Sequence, residues 1–410
     1  MQPELISDCV HCGFCLPTCP TYSLWHEEMD SPRGRIYLMG ALVDGSIELT
    51  DTVVEHFDRC LGCMACVTAC PSGVKYDRLI ERTRAEIDLR HSRGPLDRLL
   101  RSLIFEVFPH RRRLRAALLL RKLPAPGPFR ALKQIAPPWA APGWPPKHTP
   151  GTGPSVALLA GCVQSIVFGD VNAATARVLA ADGYDVHVPR RQGCCGALHV
   201  HAGRLGDGLG DGFARARETI EALESYELVV TNAAGCGSTL KDYTHLLADD
   251  PQWAERAAAF SAKVRDVSEL LADPLAERAV RRPLQLRVAL QDACHLRHAQ
   301  RIVAEPRAAL AQIPGLTLLE PAEQELCCGS AGIYNIVQPQ VAATLGDRKA
   351  QNVLATEPDA YASANPGCLV QVSAALRRAG RALPTFHPVE LVDASIRGVD
   401  PAELLRAARR

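Results

Sequence analysis

The sequence of 410 residues predicts a multidomain α+β protein, in which a helix-rich N-terminal domain precedes a duplicated α/β domain with parallel sheets. Three observations support this fold class. Eight cysteines fall in two short runs before residue 75, short apolar runs alternate with helical stretches from residue 155 onward, and that alternation occurs twice in the same order. Alternating strands and helices are typical of parallel sheets, and a chain of this length exceeds one ordinary core.

The first element is a pair of cysteine runs, "DCVHCGFCLPTCP" at residues 8–20 and "RCLGCMACVTACP" at residues 59–71. Both follow C-x2-C-x2-C-x3-C-P, the ligand pattern of two-cluster ferredoxins of the bacterial type. Three thiolates on a tight loop can reach three irons of one cubane, while the fourth, turned by proline, projects toward the neighbouring cluster. The runs therefore predict two [4Fe-4S] clusters, one held by Cys9, Cys12, Cys15 and Cys70 and the other by Cys60, Cys63, Cys66 and Cys19.

Zinc is the alternative occupant of these runs, because paired C-x2-C motifs also bind zinc. Zinc takes four ligands and would leave the third cysteine and the proline of each run without a role, so iron–sulfur clusters are favoured. Arg33 and Arg35, in "SPRGR" between the runs, are candidates for offsetting the negative charge of a cluster and raising its potential. The alternative for both arginines is an ordinary solvated surface position.

Residues 96–123 show helical periodicity interrupted at Pro109, with basic residues on the polar side. Such an amphipathic segment suits either a helix packed on its own protein, which we favour, or a helix on a membrane surface. Residues 124–154 contain ten prolines and are typical of an extended linker. We therefore expect a ferredoxin-type domain over residues 1–95 and helices with a linker over residues 96–154.

The α/β region consists of two matched units, residues 155–285 and 286–410. "SVALLAGC", "YDVHVP" and "ELVVTNAAGC" in the first unit correspond to "LRVALQDAC", "LTLLEP" and "DAYASANPGC" in the second. Cysteines keep the same register, because Cys162 precedes Cys294 by 132 residues and Cys194 precedes Cys327 by 133. The matched intervals indicate a tandem duplication, with two α/β units facing each other across a pseudo-twofold axis.

Each unit carries four cysteines, two of them adjacent in a "CCG" sequence. Strand ends line the ligand crevice of an open parallel sheet, so the four thiols of a unit are expected to converge there. The alternative is buried cysteines without a cofactor. Nearby His199, His201, His295 and His298 are candidates for metal ligation or proton transfer, against ordinary hydrogen-bonded histidines. The cysteines of this candidate additional site are Cys162, Cys194, Cys195, Cys236, Cys294, Cys327, Cys328 and Cys368.

This layout resembles the iron–sulfur subunit of bacterial glycolate oxidase, with relatives in anaerobic glycerol-3-phosphate dehydrogenase, lactate-utilisation proteins and heterodisulfide reductase. The resemblance covers nearly the whole chain and rests on "CVHCGFCLPTCPTY", "DSPRGRIYLM", "CLGCMACVTACPSGV", "CCGALHVHAG" and "CCGSAGIYNI". It implies a subunit that works with flavoprotein subunits, one of which oxidises glycolate to glyoxylate, and that relays the electrons to a quinone or another acceptor. The chain would then transfer electrons within an oxidoreductase complex and hold no catalytic residue itself.

One departure from the family pattern bears on catalysis. In the heterodisulfide reductase relatives a full "CCG" site ends in C-x2-C and supplies five thiols for a non-cubane cluster. Here Cys236 is followed by "GSTL" and Cys368 by "LVQV", so the fifth thiol is absent from both units. This argues against the alternative of a catalytic thiol or heterodisulfide reductase. The other alternative to a glycolate oxidase subunit is the iron–sulfur subunit of a related lactate or glycerol-3-phosphate dehydrogenase.

The composition of the chain limits which binding partners and which cellular location are expected. The formal net charge of +1 gives no general attraction to nucleic acid, and no window approaches the roughly 20 apolar residues that span a bilayer. The first residues, "MQPELISDCVHCG", lack the charged and apolar segments of a secretory signal. Thiols that serve as ligands must stay reduced, so we expect a cytoplasmic protein, with peripheral contact at the inner face of the cell membrane as a further option.

Overall fold

The computed structural model describes residues 3–119, 143–206, 211–272 and 278–408. Up to residue 119 the described chain forms helices and no strand. These helices are α1 (Pro3–Ser7), α2 (Pro20–Trp25), a 3-10 turn (Glu28–Asp30), α3 (Pro32–Val43), α4 (Asp51–Asp58), α5 (Ala65–Ala69), α6 (Tyr76–Arg90), α7 (Pro95–Val107) and α8 (Arg111–Leu119). No helix in the described part of the chain is long and apolar enough to cross a membrane.

Local sequence fixes where the helices between the cysteine runs begin. The Ser31 side chain accepts a hydrogen bond from the backbone N–H of Gly34 at the start of α3, and Pro32 occupies the first helical position. Thr50 caps α4 in the same way through the N–H of Val53. Each cap satisfies a donor that the helix otherwise leaves unpaired, and proline loses nothing at a position that has no intrahelical partner.

The first α/β unit contains a sheet of five short strands. They are β1 (His148–Thr149), β2 (Ser155–Leu158), β3 (Asp185–His187), β4 (Leu228–Thr231) and β5 (Val264–Asp266). Their order across the sheet is β1-β3-β2-β4-β5, in which β1 runs antiparallel to β3 and all other neighbours are parallel. The apolar runs of the sequence form the central strands β2 and β4, as expected for a parallel sheet covered on both faces.

Strand β1 lies inside residues 124–154, which the sequence predicts to be an extended linker, and its two residues pair with the edge of the sheet. His148 pairs with His187 across the strands, and their imidazoles stack with ring centroids 4.5 Å apart. Nε2 of each ring is hydrogen-bonded to the Asp185 carboxylate, so side chains reinforce a pairing only two residues long. Residues 120–142 of the expected helix and linker lie outside the described part of the chain.

The second unit repeats the parallel part of this sheet. Its strands are β6 (Leu286–Gln291), β7 (Leu316–Leu319), β8 (Ala360–Ser363) and β9 (Thr385–Phe386). They are all parallel and lie in the order β7-β6-β8-β9, which matches β3-β2-β4-β5 of the first unit strand for strand. The duplication inferred from cysteine spacing is therefore a duplication of topology.

Helices cover both sheets. Those of the first unit are α9 (Val163–Val167), α10 (Gly169–Ala181), α11 (Ala197–His201), α12 (Gly212–Leu223), α13 (Ala234–Leu246), α14 (Ala254–Ala262) and α15 (Val267–Ala272). Those of the second unit are a π-helical turn (His295–Ala299), α16 (Ala304–Ala311), α17 (Tyr334–Val337), α18 (Pro339–Leu354), α19 (Pro366–Arg378), α20 (Pro388–Arg397) and α21 (Pro401–Ala407).

The two units pack on each other through reciprocal helix pairs. Helix α10 contacts α20, and α16 contacts α15. Because α10 corresponds to α16 and α15 corresponds to α20, this exchange is what a pseudo-twofold arrangement produces. One apolar core runs through both units, and Arg177 forms a bidentate ion pair with Asp393 across their interface.

The N-terminal domain docks on both units. Leu61 and Cys63, from the second cysteine run, share an apolar group with Leu326, Cys327 and Tyr334 of the second unit. The second cysteine run is therefore held against the second "CCG" sequence, which the spacing of the sequence could not show.

Polar contacts complete this docking. Thr68 Oγ1 lies 2.6 Å from His298 Nδ1, and His298 Nε2 donates to the carbonyl of Glu325 at 2.9 Å. Arg84, on α6, donates to the carbonyl oxygens of Cys60 in its own domain and of His201 in the first unit. One guanidinium thereby joins the second cysteine run to the first α/β unit.

Candidate metal centres and an apolar chamber

Two small cavities in the N-terminal domain are lined by the cysteines of the two runs. The first, of about 30 Å³, is lined by Cys9, Cys12, Cys15 and Cys70. The second, of about 20 Å³, is lined by Cys19, Cys60 and Cys63, and Cys66 borders both cavities. Each cavity thus combines cysteines of one run with the last cysteine of the other run. We refer to them below as the first site and the second site.

The spacing of the sulfur atoms bears on the choice between zinc and a larger group. In a tetrahedral site with Zn–S bonds of about 2.3 Å, the sulfurs lie about 3.8 Å apart. Among the described residues no three cysteine sulfurs come within 4.8 Å of one another, and the group of metal-ligating atoms that does so is His148, Asp185 and His187. The cysteines surround a wider space than a zinc ion fills, which fits an iron–sulfur cluster.

The second site favours a thiolate at Cys60. Burial by itself acts to raise the pKa of the Cys60 thiol, but the guanidinium groups of Arg35 and Arg84 outweigh burial and hold this pKa below its ordinary value. The backbone N–H of Gly62 donates to the Cys60 sulfur at 3.4 Å, and the Tyr76 hydroxyl donates to it at 3.6 Å. Hydrogen bonds of this kind to ligand sulfurs raise the potential of a bound cluster.

Arg35 lines the second site and is fully buried. Its guanidinium donates to the Asp30 carboxylate and to Thr21 Oγ1, each at 3.2 Å, and its Nε donates to the carbonyl of His56 at 2.6 Å. Asp30 is itself fully buried and also binds Arg59 at 2.8 Å. A buried charge held by so many partners is a built feature of the site rather than a solvated surface arginine.

The first site is more open to solvent. Cys12 is exposed, and Arg33 lines the cavity while binding Glu28 through Nε at 2.7 Å. Arg33 also donates to the carbonyl of His11 at 2.9 Å, which ties down the cysteine loop. Gly13, in that loop, has φ of +88°, and a β-carbon there would lie 2.9 Å from the Arg33 guanidinium. Glycine therefore suits both the backbone conformation and the close approach of the arginine.

The cysteines of the α/β units lie at the carboxyl ends of three adjacent strands in each sheet. Single cysteines follow β2 and β6, the vicinal pairs follow β3 and β7, and the last cysteines lie in the first turn of α13 and α19. All eight line one chamber of about 630 Å³ between the units. They are Cys162, Cys194, Cys195, Cys236, Cys294, Cys327, Cys328 and Cys368.

Within each unit the sulfurs form two close pairs. In the first unit the Cys162 thiol donates to Cys194 at 3.5 Å, and Cys195 donates to Cys236 at 3.1 Å. The bond from Cys162 lowers the pKa of Cys194, the first cysteine of the "CCG" sequence. The second unit repeats this arrangement, with Cys294 and Cys327 3.9 Å apart and Cys328 and Cys368 3.4 Å apart, and with the pKa of Cys327 lowered by the bond from Cys294.

The four candidate histidines divide into two groups. His201 and His295 line the chamber, and their imidazoles stack with centroids 4.8 Å apart. His201 Nδ1 lies 2.7 Å from the carboxyl group of Glu81 on α6, where burial raises the pKa of Glu81 to about 8 and lowers that of His201 to about 4. His199 packs on the Phe105 ring and His298 serves the docking contact, and neither lines the chamber.

One wall of the chamber comes from the amphipathic helices α7 and α8. Leu103, Ile104 and Val107 of α7 and Leu114 and Leu118 of α8 line it. The favoured interpretation of this segment, a helix packed on its own protein, is correct for this face. The sequence shows that one face is apolar, but it contains no signal for what that face covers. For the same reason, the sequence does not predict the contacts that Tyr76, Glu81 and Arg84 of α6 make with Cys60 and His201.

Comparison with protein-family models supports the division seen in the structure. A 4Fe-4S dicluster domain matches residues 5–74, and a cysteine-rich domain matches residues 156–241 and again residues 288–373. The chain is 39% identical to the "Probable glycolate oxidase iron-sulfur subunit" of Bacillus subtilis strain 168, over 92% of this chain and 90% of that protein. It belongs to the family of glycolate oxidase iron–sulfur subunits.

Two further relatives match this chain over nearly their whole length. The "Glycolate oxidase iron-sulfur subunit" of Escherichia coli strain K12 is 36% identical, over 96% of this chain and 95% of that protein. The "Lactate utilization protein A" of Oceanobacillus iheyensis is 27% identical, over 58% of this chain and 96% of that protein. Membership of the glycolate oxidase subunit family confirms the predicted family, the α+β fold class, the [4Fe-4S] cofactors and the role as an iron–sulfur subunit in an oxidoreductase complex.

Proposed function

We propose that the chain is the electron-transfer subunit of a complex in which a flavoprotein partner oxidises glycolate to glyoxylate and a quinone is the final acceptor. The observation that carries this proposal is the composition of the two N-terminal sites, each of which combines cysteines of both runs. Two sites that share ligands across runs are necessarily neighbours, and neighbouring [4Fe-4S] clusters suit one-electron relay.

For the ligands we propose Cys9, Cys12, Cys15 and Cys70 at the first site and Cys60, Cys63, Cys66 and Cys19 at the second. When bound, the clusters accept and release single electrons. The chain supplies burial, hydrogen bonds to sulfur and the buried charge of Arg35, which together set the potential. The ligand set can be tested directly, because Cys70→Ser should alter the same EPR signal as Cys9→Ser, and Cys19→Ser the same signal as Cys60→Ser. Any other grouping would overturn it.

The first site is the proposed point of electron entry. Val10, Phe14 and Tyr37 are each more than 60% exposed, and Val10 and Phe14 line the first cavity. Exposed large apolar side chains around a functional site mark an interface with another protein. We therefore place the flavoprotein partner on this surface, with the second site leading inward to the chamber.

The deciding experiment uses the complex purified anaerobically with its flavoprotein partner. We expect about eight irons and eight acid-labile sulfides in the N-terminal domain of each chain, and reduction of both clusters on addition of glycolate. Val10→Ser with Phe14→Ser should abolish reduction by glycolate but not by dithionite, while Leu96→Ser, an equally exposed substitution on α7, serves as the matched control. In the unaltered complex, clusters that dithionite reduces and glycolate does not would overturn the proposal.

A second candidate function is favoured by the sulfur pairs of the repeats. Thiols 3.1 to 3.9 Å apart are placed for thiol–disulfide exchange, in which a dithiol of the chain forms a disulfide and passes its two electrons and two protons to a disulfide substrate, which becomes two thiols. Thiol titration of the purified chain before and after treatment with a disulfide substrate distinguishes this function. A loss of two titratable thiols per pair, from which Cys195→Ser removes the contribution of the Cys195–Cys236 pair, would support it, and an unchanged count would exclude it.

We further propose that the chain contacts the inner face of the cell membrane peripherally. Helix α8 exposes Leu119 together with Arg112 and Arg113, a combination that suits an anionic lipid surface. Sedimentation with anionic vesicles at low salt is the test. We expect the chain to pellet with the vesicles, and a chain that stays in the supernatant would contradict this contact.

A further inference from the structure

The chamber between the α/β units is large enough for an organic ligand in addition to any metal. Its volume of about 630 Å³ lies within the range of roughly 300–1,000 Å³ of small-molecule sites. The first and second sites of the N-terminal domain are far smaller, at about 30 and 20 Å³.

The lining excludes an acidic substrate. No arginine or lysine lines the chamber in the described part of the chain. A carboxylate such as glycolate, or a phosphate, would be buried there without a counter-charge, which is unfavourable. The described lining therefore favours a neutral ligand over the hydroxy acid.

The two ends of the chamber differ in character. The part of the lining from α7 and α8 is aliphatic, while another part carries the thiols together with the stacked rings of His201 and His295. The Glu81 carboxyl group is hydrogen-bonded to Nδ1 of His201, which fixes the orientation of the imidazole ring. The ligand that matches this asymmetry has an aliphatic tail and a compact polar head.

The polar wall also adjoins the electron route. Cys63 of the second site and Cys327 of the chamber lie in the same apolar group, with Leu61 and Tyr334. A redox-active head group between the cysteine sets would thus be the next group after the second site. In the aliphatic part of the lining, Leu103 is 39% exposed, so we place the opening at this residue of α7.

We propose that this chamber binds a lipophilic quinone, with the head group beside His201 and the two sets of cysteines and the tail leaving at Leu103. This rests on the proposed electron-transfer function and names where the acceptor binds. The quinone takes two electrons, delivered one at a time from the flavin of the partner through the second site, and two protons from water. Its two carbonyl groups become the two hydroxyl groups of the quinol.

Binding of decylubiquinone to the purified full chain tests the location. Leu103→Trp with Val107→Trp fills the opening and should weaken binding by about tenfold or more, because bulky side chains cannot be absorbed by a packed wall. Leu96→Trp with Leu99→Trp places the same groups on the same helix outside the lining and should leave binding unchanged. Ala117→Phe, which fills the chamber from α8, replaces the first variant if that variant does not fold.

Iron content and the EPR spectrum must be unchanged in every variant that is scored. In the complex, glycolate-driven reduction of a water-soluble dye should survive the Leu103→Trp and Val107→Trp substitutions, whereas quinone reduction should be lost. Tight quinone binding by both opening variants would overturn the chamber proposal alone. Clusters that glycolate fails to reduce in the unaltered complex would overturn the electron-transfer proposal, whatever the quinone result.

Discussion

The cysteines of the N-terminal domain and those of the α/β units enclose spaces of very different size. The two N-terminal sites measure about 30 and 20 Å³, and the chamber measures about 630 Å³. In the N-terminal domain most cysteines that line a site come from one short loop. In the α/β units, paired thiols are 32 to 41 residues apart and come from different strands.

This difference shows how sequence spacing controls what cysteines can enclose. Thiols on one loop cannot move far apart, so they form a closed cage that fits one inorganic group. Thiols at strand ends are positioned by whole sheets, and two sheets leave a crevice between them. The first arrangement is local and the second depends on the tertiary fold, so the two should respond differently to substitution.

The largest expected effect is the loss of a cluster from the N-terminal domain. Cys60→Ser removes a buried ligand of the second site and should lower the iron content by about four per chain. Cys368→Ser, a matched substitution in the chamber, should leave the EPR signals of both N-terminal clusters in place. Iron analysis with EPR on anaerobic protein checks both variants. An additional loss of iron in Cys368→Ser would show that the α/β units hold a cluster of their own.

The next effect concerns the buried charge beside the second site. Arg35→Met leaves the Asp30 carboxylate short of one partner in a dry environment and should lower the free energy of unfolding by about 3 kcal/mol. Arg33→Met is the matched control at the first site. Since Arg33 is partly exposed, its pair with Glu28 should contribute less than about 1 kcal/mol. Anaerobic denaturant unfolding measures both, and equal losses would contradict the assigned difference between the sites.

A smaller effect is expected where the N-terminal domain meets the second unit. Thr68→Val removes the hydroxyl group that donates a hydrogen bond to His298 Nδ1. It should lower the free energy of unfolding by about 1–2 kcal/mol, because a buried acceptor is left unpaired. Thr68→Ser keeps the hydroxyl and should restore the contact. Hydrogen exchange of residues 65–69 should quicken in Thr68→Val only. Unchanged exchange in the valine variant would mean that the apolar contacts alone hold the domains together.

The smallest effect is expected between the two units. Arg177 is about half exposed, so Arg177→Met should lower the free energy of unfolding by no more than about 1 kcal/mol. The N-terminal EPR signals should not change, since those sites are built locally. Thermal unfolding with EPR on the same sample tests this. A shift in the cluster signals would show that the local cages also depend on the packing of the units.

The sequence predicts most of the fold but less of the chamber. The apolar runs at β2, β4 and β6 mark buried strands, and the cysteine register predicts the duplication. Strands β5 and β9 have three and two residues, which is too short for a recognisable pattern in the sequence. They form strands because they pair with the neighbouring strand of the sheet. Periodicity predicts the amphipathic helix α7, but only the tertiary structure shows that its apolar face lines the chamber.

The depth of the second site constrains how the protein is made in the cell. Cys19, Cys60, Cys63 and Cys66 are all buried, and Cys63 lies against Cys327 of the second unit. A biogenesis scaffold that delivers iron and sulfide cannot reach these thiols once the domains have docked. We therefore expect iron and sulfide to enter the second site before the domains dock, whereas the first site, with Cys12 exposed, stays accessible in the folded protein.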